Sequence, residues 1–194
     1  MTRLVTVVAA VFTVTLASAA QAPPKPVGLG TPATPEQIAA LDIDVRPDGT
    51  GLPAGSGTAH EGGAVYAQKC AACHGANGEG GTADALVSVE PKNIAPFGPD
   101  YERWRGGRPD VPFTIGNYWP YATTIFDYVR RAMPVDAPGS LTADEAYAIV
   151  AWLLAKNGII AESDPMNRET LPRVRMPARS RFVPDNRKGG GEVK

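Results

Sequence analysis

The chain has 194 residues, room for one ordinary domain with extensions or two very small domains. Its composition, 43% hydrophobic and 20% charged, is that of a soluble globular protein, and 21 glycines with 19 prolines assign much of it to loops and extended arms. A net charge of −1 and only two cysteines, both in Cys70-Ala71-Ala72-Cys73-His74, exclude a strongly basic nucleic-acid binder and a disulfide-stapled scaffold.

Residues 1–20 read as a signal peptide. Arg3 is a minimal positive start, residues 4–17 are apolar apart from Thr6, Thr13 and Thr15, and the small residues Ser18, Ala19 and Ala20 suit cleavage. The apolar run is too short for a comfortable bilayer crossing, and an uncleaved anchor is the alternative. The expectation is an exported, periplasmic protein with no stable membrane span after cleavage. Without Arg3 the chain carries 18 basic and 20 acidic residues. These are unevenly placed: residues 60–165 hold 8 basic and 13 acidic groups, residues 166–194 hold 8 and 3.

Residues 21–57 form an extended Pro/Gly-rich N-terminal arm. Within it, Thr34-Pro35-Glu36-Gln37 is an N-cap with proline at the first helical position, which predicts a turn or two of helix to Leu41. A compact domain is expected over 58–161. Thr58 and Glu61 have capping-box spacing and open a helix that should run to about residue 72, delivering Cys70, Cys73 and His74 at its end. A glycine-rich loop covers 75–81, and the prolines of 82–118 predict irregular backbone. A second helix is expected over 120–132, with Pro120 at its start and Ala122, Ile125, Phe126 and Val129 at i, i+3, i+4, i+7. A third follows the Thr142/Glu145 capping box, with one apolar stripe of Ala146, Ile149, Val150, Leu153 and Leu154 and a stop at Asn157-Gly158. Residues 162–194 are a basic, Arg/Pro-rich tail without periodicity. The fold class is all-α, about three main helices between two arms.

Cys-x-x-Cys-His is the attachment signature of c-type haem. Two thiols at this spacing can each form a thioether with one porphyrin, and His74 directly after them can ligate the iron. A dithiol redox pair would sit near a βαβ pattern, which is absent, and would not need His74. A zinc site would need about four ligands, with His60 as the one further histidine, and ligands so tightly clustered suit tetrahedral zinc poorly. An exported protein with CxxCH followed by HGxxGxGG points to one haem c. For the sixth iron position the residues leave Met133, Met166, Met176 and His60. Met133, in Arg-Arg-Ala-Met-Pro between the last two helices, is favoured because His/Met ligation is usual in electron-transfer haem proteins and Pro134 stiffens its backbone. For any methionine the alternative is core filling.

The order of helix, CAACHG, Pro-rich loop, helix, Met-Pro and terminal amphipathic helix resembles the class I cytochrome c fold. The resemblance implies that Gly62 and Tyr66 cross Ile149, Trp152 and Leu153 of the last helix. It also implies that a proline carbonyl, Pro91 or else Pro96, accepts the hydrogen bond of His74 Nδ1. Tyr118, Trp119 and Tyr121 are candidates for packing on the haem or bonding its propionates, with ordinary aromatic packing as the alternative.

A narrower likeness lies in PATPEQIAALDIDVRPDGTGLPAGSGTAHEGGAVYAQKCAACHG, IGNYWPYATTIFDYVRRAMPVDAPGSLTADEAYAIVAWLLAKNGII and MNRETLPRVRMP. All three resemble the cytochrome subunit of bacterial sulfane and sulfite dehydrogenases. That subunit typically has two haems, and this chain, with a single CxxCH, matches the first haem domain. The resemblance implies a non-catalytic electron-transfer subunit. It would receive electrons from a molybdenum-cofactor oxidoreductase acting on reduced sulfur and pass them to a downstream cytochrome. The Arg-rich tail would order on a partner. A free diffusible carrier, and a haem enzyme with a labile sixth ligand, are the alternatives from other functional classes.

Overall fold

The computed structural model describes residues 28–88 and 112–183. The signal segment 1–20, Pro91 and Pro96 lie outside the described residues. Five α-helices, one two-stranded ladder and two 3-10 turns make up the regular structure described, in a helical fold consistent with class I cytochrome c.

Helix α1, Pro35–Leu41, starts with the predicted N-cap, which the structure completes to a capping box: Thr34 Oγ1 accepts from Gln37 N–H and the Gln37 side chain accepts from Thr34 N–H. It buries none of its residues. Beyond it the arm closes down on the body. Val45 and Leu52 enter the core, and four polar contacts strap residues 45–56 to the helices. Val45 N–H donates to Asp127 Oδ1 at 2.8 Å, Thr123 Oγ1 to the Pro47 carbonyl at 3.0 Å, Tyr147 OH to the Pro53 carbonyl at 2.9 Å, and Ser56 N–H to Asp144 Oδ1 at 2.8 Å. The strand β1, Ser56–Gly57, then leads into α2, Ala59–Lys69, through the predicted Thr58/Glu61 capping box.

The expected single helix to residue 72 is instead two. Cys70, at φ −127° and ψ −36°, leaves helical geometry, and α3, Ala71–His74, restarts as one turn. Helix α4, Ala122–Ala132, begins two residues later than expected. Tyr121 is extended and takes the N-cap position, so Pro120 precedes the helix rather than opening it. Its buried face contains the whole predicted stripe plus Thr123.

Helix α5, Ala143–Lys156, is the centre of the molecule. The sequence pattern predicts one apolar stripe, but every residue from 146 to 154 is buried. The additional residues are covered from several sides, by α2 over Ala148 and Trp152, by Phe126 of α4 against Tyr147, and by the arm at Gly57 and Pro53. A helix surrounded in this way must be apolar all round. At the α2–α5 crossing the Tyr66 and Trp152 rings stack at 3.9 Å with an interplanar angle of 24°. This is the contact that the class I resemblance implies.

The tail departs most from expectation. Strand β2, Met166–Asn167, pairs antiparallel with β1, Ser56 opposite Asn167 and Gly57 opposite Met166. The 3-10 turns Leu171–Arg173 and Arg179–Arg181 follow. Met166, Leu171, Met176 and Ala178 are buried. An aperiodic sequence hides such packing because side chains set down one by one by turns and a two-residue strand have no repeat. Among the described residues no helix is long and apolar enough to cross a membrane.

Candidate haem attachment site

One turn of helix organises the cysteine motif. Cys73 N–H and His74 N–H both donate to the Cys70 carbonyl, at 3.1 and 3.0 Å, and Gly75 N–H donates to the Ala71 carbonyl at 3.0 Å. These bonds bring the backbones of Cys73 and His74 back over that of Cys70, so the three residues of the motif are gathered within one turn. Both cysteines are free thiols; Cys70 is half-buried against the core and Cys73 is exposed. Burial pushes the Cys70 thiol up to about 11, with nearby Lys69 opposing and Cys73 adding to the rise. Among the described residues no group of three or more His, Cys, Asp or Glu is placed to hold a metal ion by itself.

His74 is oriented by backbone. Its Nδ1 lies 2.7 Å from the Asp84 carbonyl oxygen. A carbonyl can only accept, so Nδ1 carries the proton, and in the neutral ring that leaves the Nε2 lone pair for an iron ligand. The resemblance implied a proline carbonyl here, Pro91 or else Pro96, both outside the described residues; the partner seen is Asp84. Sequence reading had no means of finding it, because any residue can supply a backbone carbonyl.

The glycine-rich loop closes behind the motif. Gly80 N–H donates to the His74 carbonyl at 2.8 Å and Ala83 N–H to the Cys73 carbonyl at 3.0 Å. Gly75 has φ +81°, and a Cβ there would lie 2.6 Å from the Gly80 carbonyl oxygen, so glycine is required on both counts. The Glu79 carboxyl is held below its ordinary range by backbone N–H groups, among them that of Asn77 at 2.6 Å. Tyr66, expected only as a packing residue, also donates its OH to the Gly75 carbonyl at 2.9 Å. Burial, assisted by Cys70 and Glu79, pushes this phenol up to about 12, so it remains a neutral donor.

The other candidate residues sit on or beside α4. Met133 is the C-cap of α4, half-buried, with its N–H on the Val129 carbonyl at 3.2 Å. Its rivals Met166 and Met176 are buried members of the hydrophobic core, where their side chains serve tail packing. His60 lies in the first turn of α2, about 15 Å of helix from the cysteine end. Trp119 packs on the same core as Cys70, and its indole N–H donates to Thr124 Oγ1 at 2.8 Å, which leaves the ring faces for packing. The Tyr121 ring is covered by the Arg179 guanidinium, 4.7 Å from its centroid. Tyr118 meets Phe113 and Phe182 edge-on at 4.7 and 5.7 Å. These two tyrosines therefore contact the chain's own aromatic and tail residues.

Comparison with known proteins agrees with this geometry. Residues 57–153 match the family described as cytochrome c oxidase, cbb3-type, subunit III. The structure is similar to that of the sulfane dehydrogenase SoxCD from Paracoccus pantotrophus, with a TM-score of 0.69 and 38% sequence identity over 83% of this chain and 73% of the other. No curated protein matches the chain at a significant level. A cytochrome c domain implies covalently bound haem c, and the residues fit that group. Two free thiols flank one helical turn, and the adjacent imidazole is locked in the tautomer that can bind iron. With half of its length matched by that family and a 38%-identical solved relative, this chain belongs to the c-type cytochromes of the cbb3-type subunit III family.

Proposed function

We propose that the protein is a periplasmic, single-haem electron-transfer cytochrome, the electron-accepting subunit of a molybdenum-cofactor dehydrogenase that oxidises sulfite or sulfane sulfur. The observation that carries this reading is the extent of the likeness to the sulfane dehydrogenase. It covers 83% of the chain, whereas the family segment 57–153 is half of it, so the likeness takes in sequence beyond the generic domain.

Cys70 and Cys73 would hold the haem by thioethers, with His74 Nε2 and the Met133 thioether on its iron. Bound there, haem c supplies one-electron Fe(III)/Fe(II) exchange. The chain's own residues set the conditions. Asp84 holds the His74 proton at Nδ1, and Tyr66 pins the backbone directly after His74. Met133 is favoured as the distal ligand because Met166 and Met176 are committed to the core. Tyr118, Trp119 and Tyr121 form the aromatic segment that leads into α4.

The test is capture of the tagged cytochrome from periplasm, with metal analysis for molybdenum and anaerobic addition of sulfite or a sulfane donor. Co-purified molybdenum and haem reduction by the sulfur compound are expected. A monomer on size exclusion, free of molybdenum and reduced only by unrelated donors, would assign it to the freely diffusing carriers. Removing residues 166–194 is an unsuitable probe of docking, because Leu171 and Met176 belong to the core. Charge reversal at the exposed Arg168, Arg173 and Arg175 tests the tail's role without opening the fold.

A further inference from the structure

Asn157 closes α5 as its C-cap, and a helix stop needs little more than a residue that can leave helical geometry. Yet its side chain is almost wholly buried, 1% exposed, and its amide is fully used. Nδ2 donates to the Leu153 carbonyl at 2.9 Å, which fixes the side chain on its own helix, and to the Leu86 carbonyl at 3.1 Å. Oδ1 faces Ser88 N–H at 3.4 Å. A glycine would stop the helix equally well and could reach neither.

Leu86 is a junction. Its carbonyl also accepts from Ile115 N–H at 3.2 Å, and its N–H, together with that of Val87, donates to the Gly78 carbonyl at 2.8 and 2.9 Å. Two residues upstream, the Asp84 carbonyl accepts from His74 Nδ1. The strap 84–88 is thus tied at one side to the glycine-rich loop, which is bonded to the His74 carbonyl through Gly80 N–H, and at the other to the central helix through Asn157.

We propose that Asn157 is a positioning residue for the proximal histidine: by anchoring Leu86 to the end of α5, it sets the Asp84–His74 hydrogen bond. The inference rests on His74 ligating the haem iron, and not on which enzyme the haem serves. A short Nδ1–H···O bond gives the imidazole more imidazolate character, makes it a stronger donor to ferric iron and lowers the potential. Slackening the strap lengthens that bond and raises the potential.

The test uses the holoprotein carrying Asn157→Ala, with Asn157→Ser as a second variant should alanine fail to fold, and Gly158→Ala as the matched control. Gly158 has φ +65° and its Cβ would meet nothing within 4 Å, so that substitution strains the same helix end and leaves the amide in place. In the Asn157 variants, exchange of the His74 Nδ1 proton in the ferrous protein should accelerate at least tenfold, and the haem potential should shift upward. In Gly158→Ala both should stay at wild-type values despite lost stability. Equal values in the Asn157 variants and wild type, or equal shifts in the variants and the control, overturn the proposal. A wild-type protein in which His74 gives no iron-ligand resonance overturns both this proposal and the axial assignment.

Discussion

Gly62 of α2 lies directly against the backbone of Ala148 in α5. A Cβ on Gly62 would stand 1.8 Å from the Ala148 carbonyl oxygen and 2.9 Å from Trp152 Cβ. The first obstacle is main chain of a buried helix, which no rotamer change can move, so Gly62→Ala must separate the two helices and unstack Tyr66 from Trp152. The expected loss is about 3 kcal/mol, the upper end for overpacking, measured by urea denaturation of the holoprotein. A change within error of wild type would show that the crossing can relax.

The tail should matter to stability in the same way as a core helix. Leu171 is fully buried, and Leu171→Ala should cost about 3 kcal/mol. Arg173→Ala, two residues on and exposed, should fall within about 0.5 kcal/mol of wild type. Thermal unfolding of the two variants side by side decides it. Equal behaviour would mean that the tail rests on the body without contributing to it.

Methionine ligation to ferric haem gives a weak charge-transfer band at the red edge of the visible spectrum. Met133→Ala should remove it. Met166→Leu and Met176→Leu should keep it while altering only stability. A band that survives Met133→Ala would move the sixth ligand elsewhere.

Glu145 joins two helices, accepting from Lys69 Nζ at 2.7 Å with one oxygen and from Thr142 N–H at 2.9 Å with the other. The Lys69 hydrogen bond, then the Thr142 N–H, hold its carboxyl below the ordinary value. A carboxyl lowered in the folded state stabilises above its unfolded pKa, and that contribution is lost as pH falls through the folded value. Glu145→Gln should therefore cost about 1 kcal/mol at neutral pH, a deficit that shrinks toward zero in acid. Denaturation midpoints of both proteins at several pH values test this, and a pH-independent gap would refute it.

What was readable in advance and what was not divide along a physical line. The N-cap at Thr34, the capping boxes at Thr58 and Thr142, the stripe of α4 and the Cys70–Cys73–His74 spacing depend on residues within a few positions of each other, so the sequence by itself determined them. Of the partners that the resemblance implied for Gly62 and Tyr66, Trp152 stands at the α2–α5 crossing, and Ala148, which it did not name, lies closest to Gly62.

The motif that opened the functional argument is now attached to its surroundings. Its histidine is held by the Asp84 carbonyl, its following glycine by Tyr66, and its strap by Asn157. Tertiary structure alone decided these three contacts, together with the burial of every residue from 146 to 154 of α5 and the incorporation of Met166, Leu171 and Met176 into the core. All three contacts end on backbone carbonyls, which carry no residue signature. The third contact and the rest join segments up to about seventy positions or more apart, where local propensity and periodicity hold no information and only the folded chain brings the groups together.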